Sequence, residues 1–362
     1  MQAAEARQFF VYKLPLVKGI CILGVILIHV TVYATEMTRF GWFSSALIFV
    51  NSLTRFAVPL FVTLSGFYLS LNRRNEVAGP FYRRTLKFLL IPYLAYSILY
   101  SLPQLLKSHR PWILIKNLLT FDAQSHLWFI ALIIQLYLLH PFLSRFYNAC
   151  KRRGALVFFA LILQIAYSSS ITALFPHPYS PTFLIRFLTT IFFPSYIGYF
   201  LTGYYLLEHS WHAFQVFQRR SSVIIGCLAW IVAGAGISAA WIATHSQGVI
   251  YEFIQNELVR LVRNLLTPLM TIGALIAIIA FVRGLETKQI AVRRLLNSLG
   301  LYSYSVYFLH ILYVRLEVLG LRRAHISPDN ALFYFLLLPS TVALTLVSVR
   351  WLARLPFARY IT

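Results

Sequence analysis

The strongest chemical signal in the sequence is a stripe of ionisable residues near its start. Lys18, His29 and Glu36 fall in or beside one apolar run. At 100° per residue, the eleven steps from Lys18 to His29 make three turns plus about 20°, so the two share a helix face about 16 Å apart. Glu36 follows seven residues later on nearly the same stripe. An imidazole between a cation and a carboxylate suits general acid–base work at neutral pH. Ionisable groups in apolar spans are costly, so their default reading is functional. Two plainer readings stay open: His29 bonded to a neighbouring carbonyl, and Lys18 snorkelling to the interface.

Further candidates lie along the chain. Arg55 opens Arg55-Phe-Ala-Val-Pro59-Leu-Phe61, which runs on to Ser65-Gly66-Phe67. A guanidinium keeps its charge, so it needs a carboxylate, carbonyls or an anionic ligand. Pro59 and Gly66 favour a kink and close helix approach, and Ser65 reads equally as packing or as function. Arg83, Arg84 and Lys87 stand at a helix start before Pro92, with Arg84 and Lys87 three apart and facing one way. That pair suits phosphate, or is an ordinary basic cluster beside a span. Asp122 and His126 precede Trp128-Phe129 at the head of another apolar run. Later, Ser303, Tyr307 and His310 fall on one side of a helix, followed by Arg315 and Glu317. No His/carboxylate cluster has metal-ligand spacing, and Cys21, Cys150 and Cys227 form no CxxC pair, so neither a metal site nor a disulfide framework is expected.

The elements that hold these residues follow from composition. Of 362 residues, 59% are hydrophobic and 12% charged, against about 25% charged in soluble chains. Lipid must therefore be the outer solvent. A formal charge of +22 invites a nucleic-acid partner, but the basic residues form short clusters between apolar runs, which is a topology signal. Runs near the roughly 20 residues that a helical span needs cover 14–34, 46–71, 88–106, 127–146, 156–175, 187–207, 223–243, 265–282, 299–319 and 331–352. They do not alternate in polarity as barrel strands would. The fold class is all-α: one domain, 1–362, forming a polytopic membrane bundle of about ten helices. The first run is full-length with no small-residue cleavage site after it, and reads as a retained span. On a ten-span topology, 20 of the 32 Lys+Arg fall on the side holding both termini, nine on the other and three inside spans, so both termini are expected in the cytoplasm. Residues 250–264 read as an amphipathic helix on the outer interface or as an extension of the eighth span.

Together these segments resemble the acyltransferase-3 family of membrane O-acyltransferases, from about Leu14 to Leu352. Four features match in order: a basic residue eleven before a His (Lys18, His29), the Val58–Phe67 stretch, the basic pair Arg84-x-x-Lys87 before Pro92, and the Ser-Tyr…Tyr…His stretch of span nine. Lys18 and Lys87 stand where the commonest pattern has Arg, keeping the charge but losing the bidentate fork. The resemblance implies transfer of an acyl group, usually acetyl, from cytoplasmic acyl-CoA to a sugar hydroxyl of a surface glycan or lipid-linked precursor at the bacterial cytoplasmic membrane. Acyl-CoA, acetyl-CoA above all, is then a donor substrate and no cofactor is permanently bound. The other partners are the saccharide acceptor and membrane lipid, with no nucleic acid. Under that reading Arg83, Arg84 and Lys87 meet the donor phosphates, and the pantetheine arm passes Lys18 and small residues such as Ser65. His29 acts as base with Glu36 orienting it. Arg55, Ser303, Tyr307 or His310 steadies the oxyanion, and glycan enters near Glu36, Asp122 and His126. An acyl-His intermediate is the alternative to direct transfer. The rival classes are a transporter or exporter of glycan or acyl groups, which lacks matched broken helices in two halves here, and a non-catalytic assembly partner.

Overall fold

A computed structural model of the chain describes residues 2–37, 41–71, 78–175, 183–245, 257–285 and 290–355. Among the described residues there are helices and turns but no strand. Ten stretches of the described residues are long and apolar enough to cross a bilayer, the number the apolar runs predict. Span one is α1 (Gln2–Thr31) with a 3-10 extension, Val32–Glu36, and span two is α2 (Trp42–Thr54) and α3 (Ala57–Leu71). Span three is α4 (Ala78–Ser108), followed by the short α5 (Trp112–Thr120). Spans four and five are α6 (Trp128–Ala149) and α7 (Arg153–Leu174). Span six comprises α8 (Phe183–Arg186), a π turn at Phe187–Ile191, a 3-10 turn at Phe193–Ser195 and α9 (Ile197–Glu208). The short α10 (Ser210–Gln218) leads to spans seven and eight, α11 (Arg220–His245) and α12 (Glu257–Gly284). The short α13 (Ile290–Leu301) precedes spans nine and ten, α14 (Ser303–Arg323) and α15 (Ala331–Leu352).

Three sequence expectations change in detail. Spans two and six are not single helices. Span nine begins at Ser303, because residues 299–301 close α13. Of the amphipathic segment 250–264, residues 257–264 are the first turns of α12, so that part extends span eight; 250–256 lie outside the described residues. Large apolar side chains on the outer faces, such as Leu163 (68% exposed), Phe142 (64%) and Phe335 (76%), are what a hydrocarbon solvent requires.

The chain divides into two compact units, Met1–Phe61 with Leu206–Arg354, and Val62–Tyr205 with Leu355–Thr362. In the first unit α1 packs against α2, α10 and α12–α15, with Ile22, Ile26, Leu60, Phe308 and Phe333 fully buried. The α1–α13 contact is backbone on backbone. A Cβ at Gly19 would strike the Leu296 carbonyl, and one at Gly300 the Pro15 carbonyl, so only glycine permits this approach. In the second unit, Gly66 lies equally close to the Phe200 carbonyl, and Phe67, Tyr147, Phe200 and Tyr204 fill the core.

Candidate active site

The site of the first unit starts from the break in span two. Pro59 has no N–H for the Arg55 carbonyl, and its ring collides with that position in a continuous helix. The helix therefore ends at Thr54 and restarts at Ala57, with proline in the first turn, where its missing donor costs nothing. The Leu53 carbonyl, which loses its helical partner, accepts a hydrogen bond from Trp230 Nε1 at 2.8 Å. At the break the Arg55 guanidinium turns back along α2, and its Nη2 donates to Asn51 Oδ1 at 2.9 Å. Asn51 Nδ2 in turn donates to the Ile28 carbonyl and to Thr31 Oγ1, both at 2.9 Å. Asn51 thus joins two helices: its oxygen fixes Arg55, and its amide holds the Ile28 carbonyl and the Thr31 hydroxyl of α1, on either side of His29.

His29 is half-buried on α1, and its ring centroid lies 5.2 Å from that of His310 on α14, tilted by 51°. Arg55 and His310 are both close enough to act electrostatically on the His29 imidazole. His310 is fully buried, and its Nδ1 sits 3.1 Å from the Val306 carbonyl one turn back. A carbonyl only accepts, so Nδ1 carries the proton and Nε2 the lone pair of the neutral ring. Tyr307 packs beside His310 with ring centroids 6.1 Å apart. His29, Arg55, His310 and Tyr307, singled out separately in the sequence, therefore form one cluster inside one unit. Asn51 and Thr31 were missed. The only sequence signal for Asn51 is an amide in an apolar run, four residues before an unavoidable charge.

The remaining sequence candidates of this unit stand apart from the cluster. Lys18 is half-buried on α1, three turns from His29. Ser303 is half-buried at the start of α14, two turns before His310. Glu36 does not share the His29 stripe. The chain leaves α-geometry at Val32, and at 3.0 residues per turn Glu36 is carried about 80° round from His29 and about 13 Å along the axis. Its carboxylate, 45% exposed, forms an ion pair with Arg322. The extrapolation from a uniform 100° step failed because the helix tightens in its last five residues.

The second unit holds the other candidates. Arg83, Arg84 and Lys87 are exposed on the second and third turns of α4, an open cationic patch able to take phosphate oxygens. Ser65 is half-buried and hydrogen-bonded to Tyr137. Asp122 is exposed and ion-paired with Arg186, while His126 is 3% exposed with its ring edge-on to Tyr100 at 5.6 Å. A further buried imidazole, His140, is hydrogen-bonded through Nδ1 to the Tyr204 hydroxyl and packed against Phe81 and Phe200. Among the described residues, no three His, Cys, Asp or Glu side chains come together as a metal site would require.

Ten apolar spans among the described residues define an integral membrane protein, and its first unit holds a cluster of two imidazoles and a guanidinium. A family model described as an acyltransferase domain, Acyl_transf_3, matches residues 11–350, nearly the whole chain. The chain belongs to the acyltransferase-3 family and is a membrane acyltransferase. No curated protein and no solved structure gives a significant match to it.

Proposed function

We propose that the protein moves an acyl group, acetyl in the first instance, from cytoplasmic acyl-CoA to a sugar hydroxyl of a surface glycan or lipid-linked precursor at a bacterial cytoplasmic membrane. The observation that carries this reading is the packing of His29 against His310 with Arg55 held beside them through Asn51. A sugar hydroxyl is too weak an acid to attack unaided, and His29 takes its proton as the oxygen adds to the thioester carbonyl. Arg55 faces the oxyanion that develops, where a fixed charge in a water-poor site acts most strongly. The carbon–sulfur bond then breaks, the proton passes from His29 to the thiolate, and CoA leaves as the thiol with the acyl ester on the sugar. His310 offers an acceptor nitrogen beside His29 and positions it.

The exposed Arg83, Arg84 and Lys87 supply charge for the donor's phosphates, with both termini and this patch on the cytoplasmic side. Sealed vesicles of both orientations test the scheme. Acyl-CoA offered to the cytoplasmic face supports acylation and the same donor at the other face does not; equal rates from either face overturn the cross-membrane route. Replacing Arg84 and Lys87 by Ala raises the donor KM, and unchanged CoA binding to the purified double variant removes them from the donor site. Glycan mass analysis of cells with and without the gene identifies the acyl group as a single lost mass. A transporter would change the amount of glycan at the surface and leave its mass unaltered.

A further inference from the structure

Glu317 on α14 is a carboxylate inside span nine that the transfer chemistry above does not use. One of its oxygens is engaged from α15: Ser340 Oγ and Thr341 Oγ1 donate to Oε2 at 2.7 and 2.9 Å. The other oxygen, Oε1, is shielded from solvent and has no hydrogen-bond partner among the described residues. A buried carboxylate oxygen left so is costly. Two more shielded polar atoms without partners lie on α15: the Tyr334 hydroxyl, two turns before Thr341 on one face, and Thr345 Oγ1, one turn after it.

These groups form a seam. Along α14, Glu317, Tyr313 and His310 are spaced by four and three residues and share a face. Along α15, Tyr334, Thr341, Thr345 and Ser348 do the same, and Tyr313 is hydrogen-bonded to Ser348. The seam therefore runs from the α14–α15 connection toward His310, whose ring lies against His29. It contains one unsatisfied anionic acceptor and two hydroxyls able to donate or accept. An anion would be repelled by Glu317, and an acyl chain would leave all three groups unsatisfied. A single carboxylate among hydroxyls is also too few ligands for a cation site. Hydroxyls along a saccharide match such groups, one donating to Oε1 and others exchanging hydrogen bonds with Tyr334 and Thr345.

We propose that the α14–α15 seam is the acceptor subsite, with Glu317 as the residue that binds the saccharide and hands it toward His29. This deepens the reading given above and rests on it. The test uses purified protein in proteoliposomes, acetyl-CoA carrying a labelled acetyl group, and the producing cells' surface polysaccharide stripped of its esters by mild alkali. Glu317→Ala is expected to raise the KM for polysaccharide about tenfold or more, with the KM for acetyl-CoA unchanged. Glu317→Gln guards against a folding defect: its amide oxygen still accepts from Ser340 and Thr341, but its NH2 cannot accept from the sugar, so the same rise is expected. Tyr334→Phe raises that KM by a few-fold. An unchanged polysaccharide KM in Glu317→Gln, or a fall in kcat alone with loss of thermal stability, overturns the assignment while leaving the enzyme's class intact. Wild-type protein that releases CoA but never labels the polysaccharide overturns the glycan reading itself.

Discussion

Span two is interrupted at Arg55–Phe56, four residues before Pro59, and span six at Phe192–Tyr196, around Pro194. In hydrocarbon every freed backbone group needs a partner, and the two breaks find theirs differently. In span two the Leu53 carbonyl takes Trp230 Nε1, and the rest of the break presents Arg55, fixed by Asn51 beside His29. In span six two glutamines from other helices do the work. Gln135 bridges the Ile191 carbonyl and the Phe193 amide at 3.0 and 3.3 Å, and Gln164 accepts from the Gly198 amide at 2.9 Å. Both glutamines are uncharged and bond to backbone of the break. One device thus serves two ends: the first break delivers a permanent charge to the His29–His310 cluster, and the second shapes a helix.

Variants at the two breaks should separate these roles. His29→Ala, at the centre the first break serves, lowers acyl transfer by about 10²–10⁴-fold in membranes with matched protein levels; activity within a few-fold of wild type removes it as the base. Arg55→Lys keeps the charge but not the planar fork that grips Asn51. A loss of about 10²-fold in kcat with little change in melting temperature is expected from one misaimed oxyanion group. Gln164→Leu leaves the Gly198 amide unpaired, costing about 1–3 kcal/mol. Thermal unfolding in detergent should show it, while turnover per folded molecule holds; a catalytic collapse there would erase the contrast between the breaks. Glu36→Gln gives the smallest effect. Its pair with Arg322 is 45% and 50% exposed, so at most about 1 kcal/mol is lost and transfer stays within a few-fold. A loss as large as that of His29→Ala would restore Glu36 as the orienting group.

Span number and placement were legible in the sequence, because apolar length is a strong local signal; 331–352 coincides with α15 to the residue. The break in span two was half legible. Pro59 announced a kink, but the disruption falls four residues earlier, at its would-be acceptor. The break in span six carried the same kind of signal in Pro194, but its partners were not legible, because Gln135 and Gln164 carry no charge to draw notice in an apolar run and lie 56 and 34 residues from the groups they hold. Residue type and spacing found His29, Arg55 and His310 one by one. Their meeting is a long-range contact, set by α1 packing against α14, and no periodicity within one helix encodes it. Asn51 and Glu317 were overlooked or left without a role because their meaning is relational. Each matters for what it holds, and only the neighbouring helices reveal that.

The two glycines at the α1–α13 crossing set a gauge for the His29–His310 pair. Gly19 precedes His29 by ten residues, and Gly300 precedes His310 by ten. Both arms start at this crossing and end at imidazoles that lie against each other, with only Tyr302 between α13 and α14. Adding or deleting one residue in either arm would turn its imidazole through about 100° and slide it about 1.5 Å, enough to part the rings. The same change in the connection between α14 and α15 leaves both arms untouched. The family's freedom to vary in length should therefore stop at these two ten-residue arms.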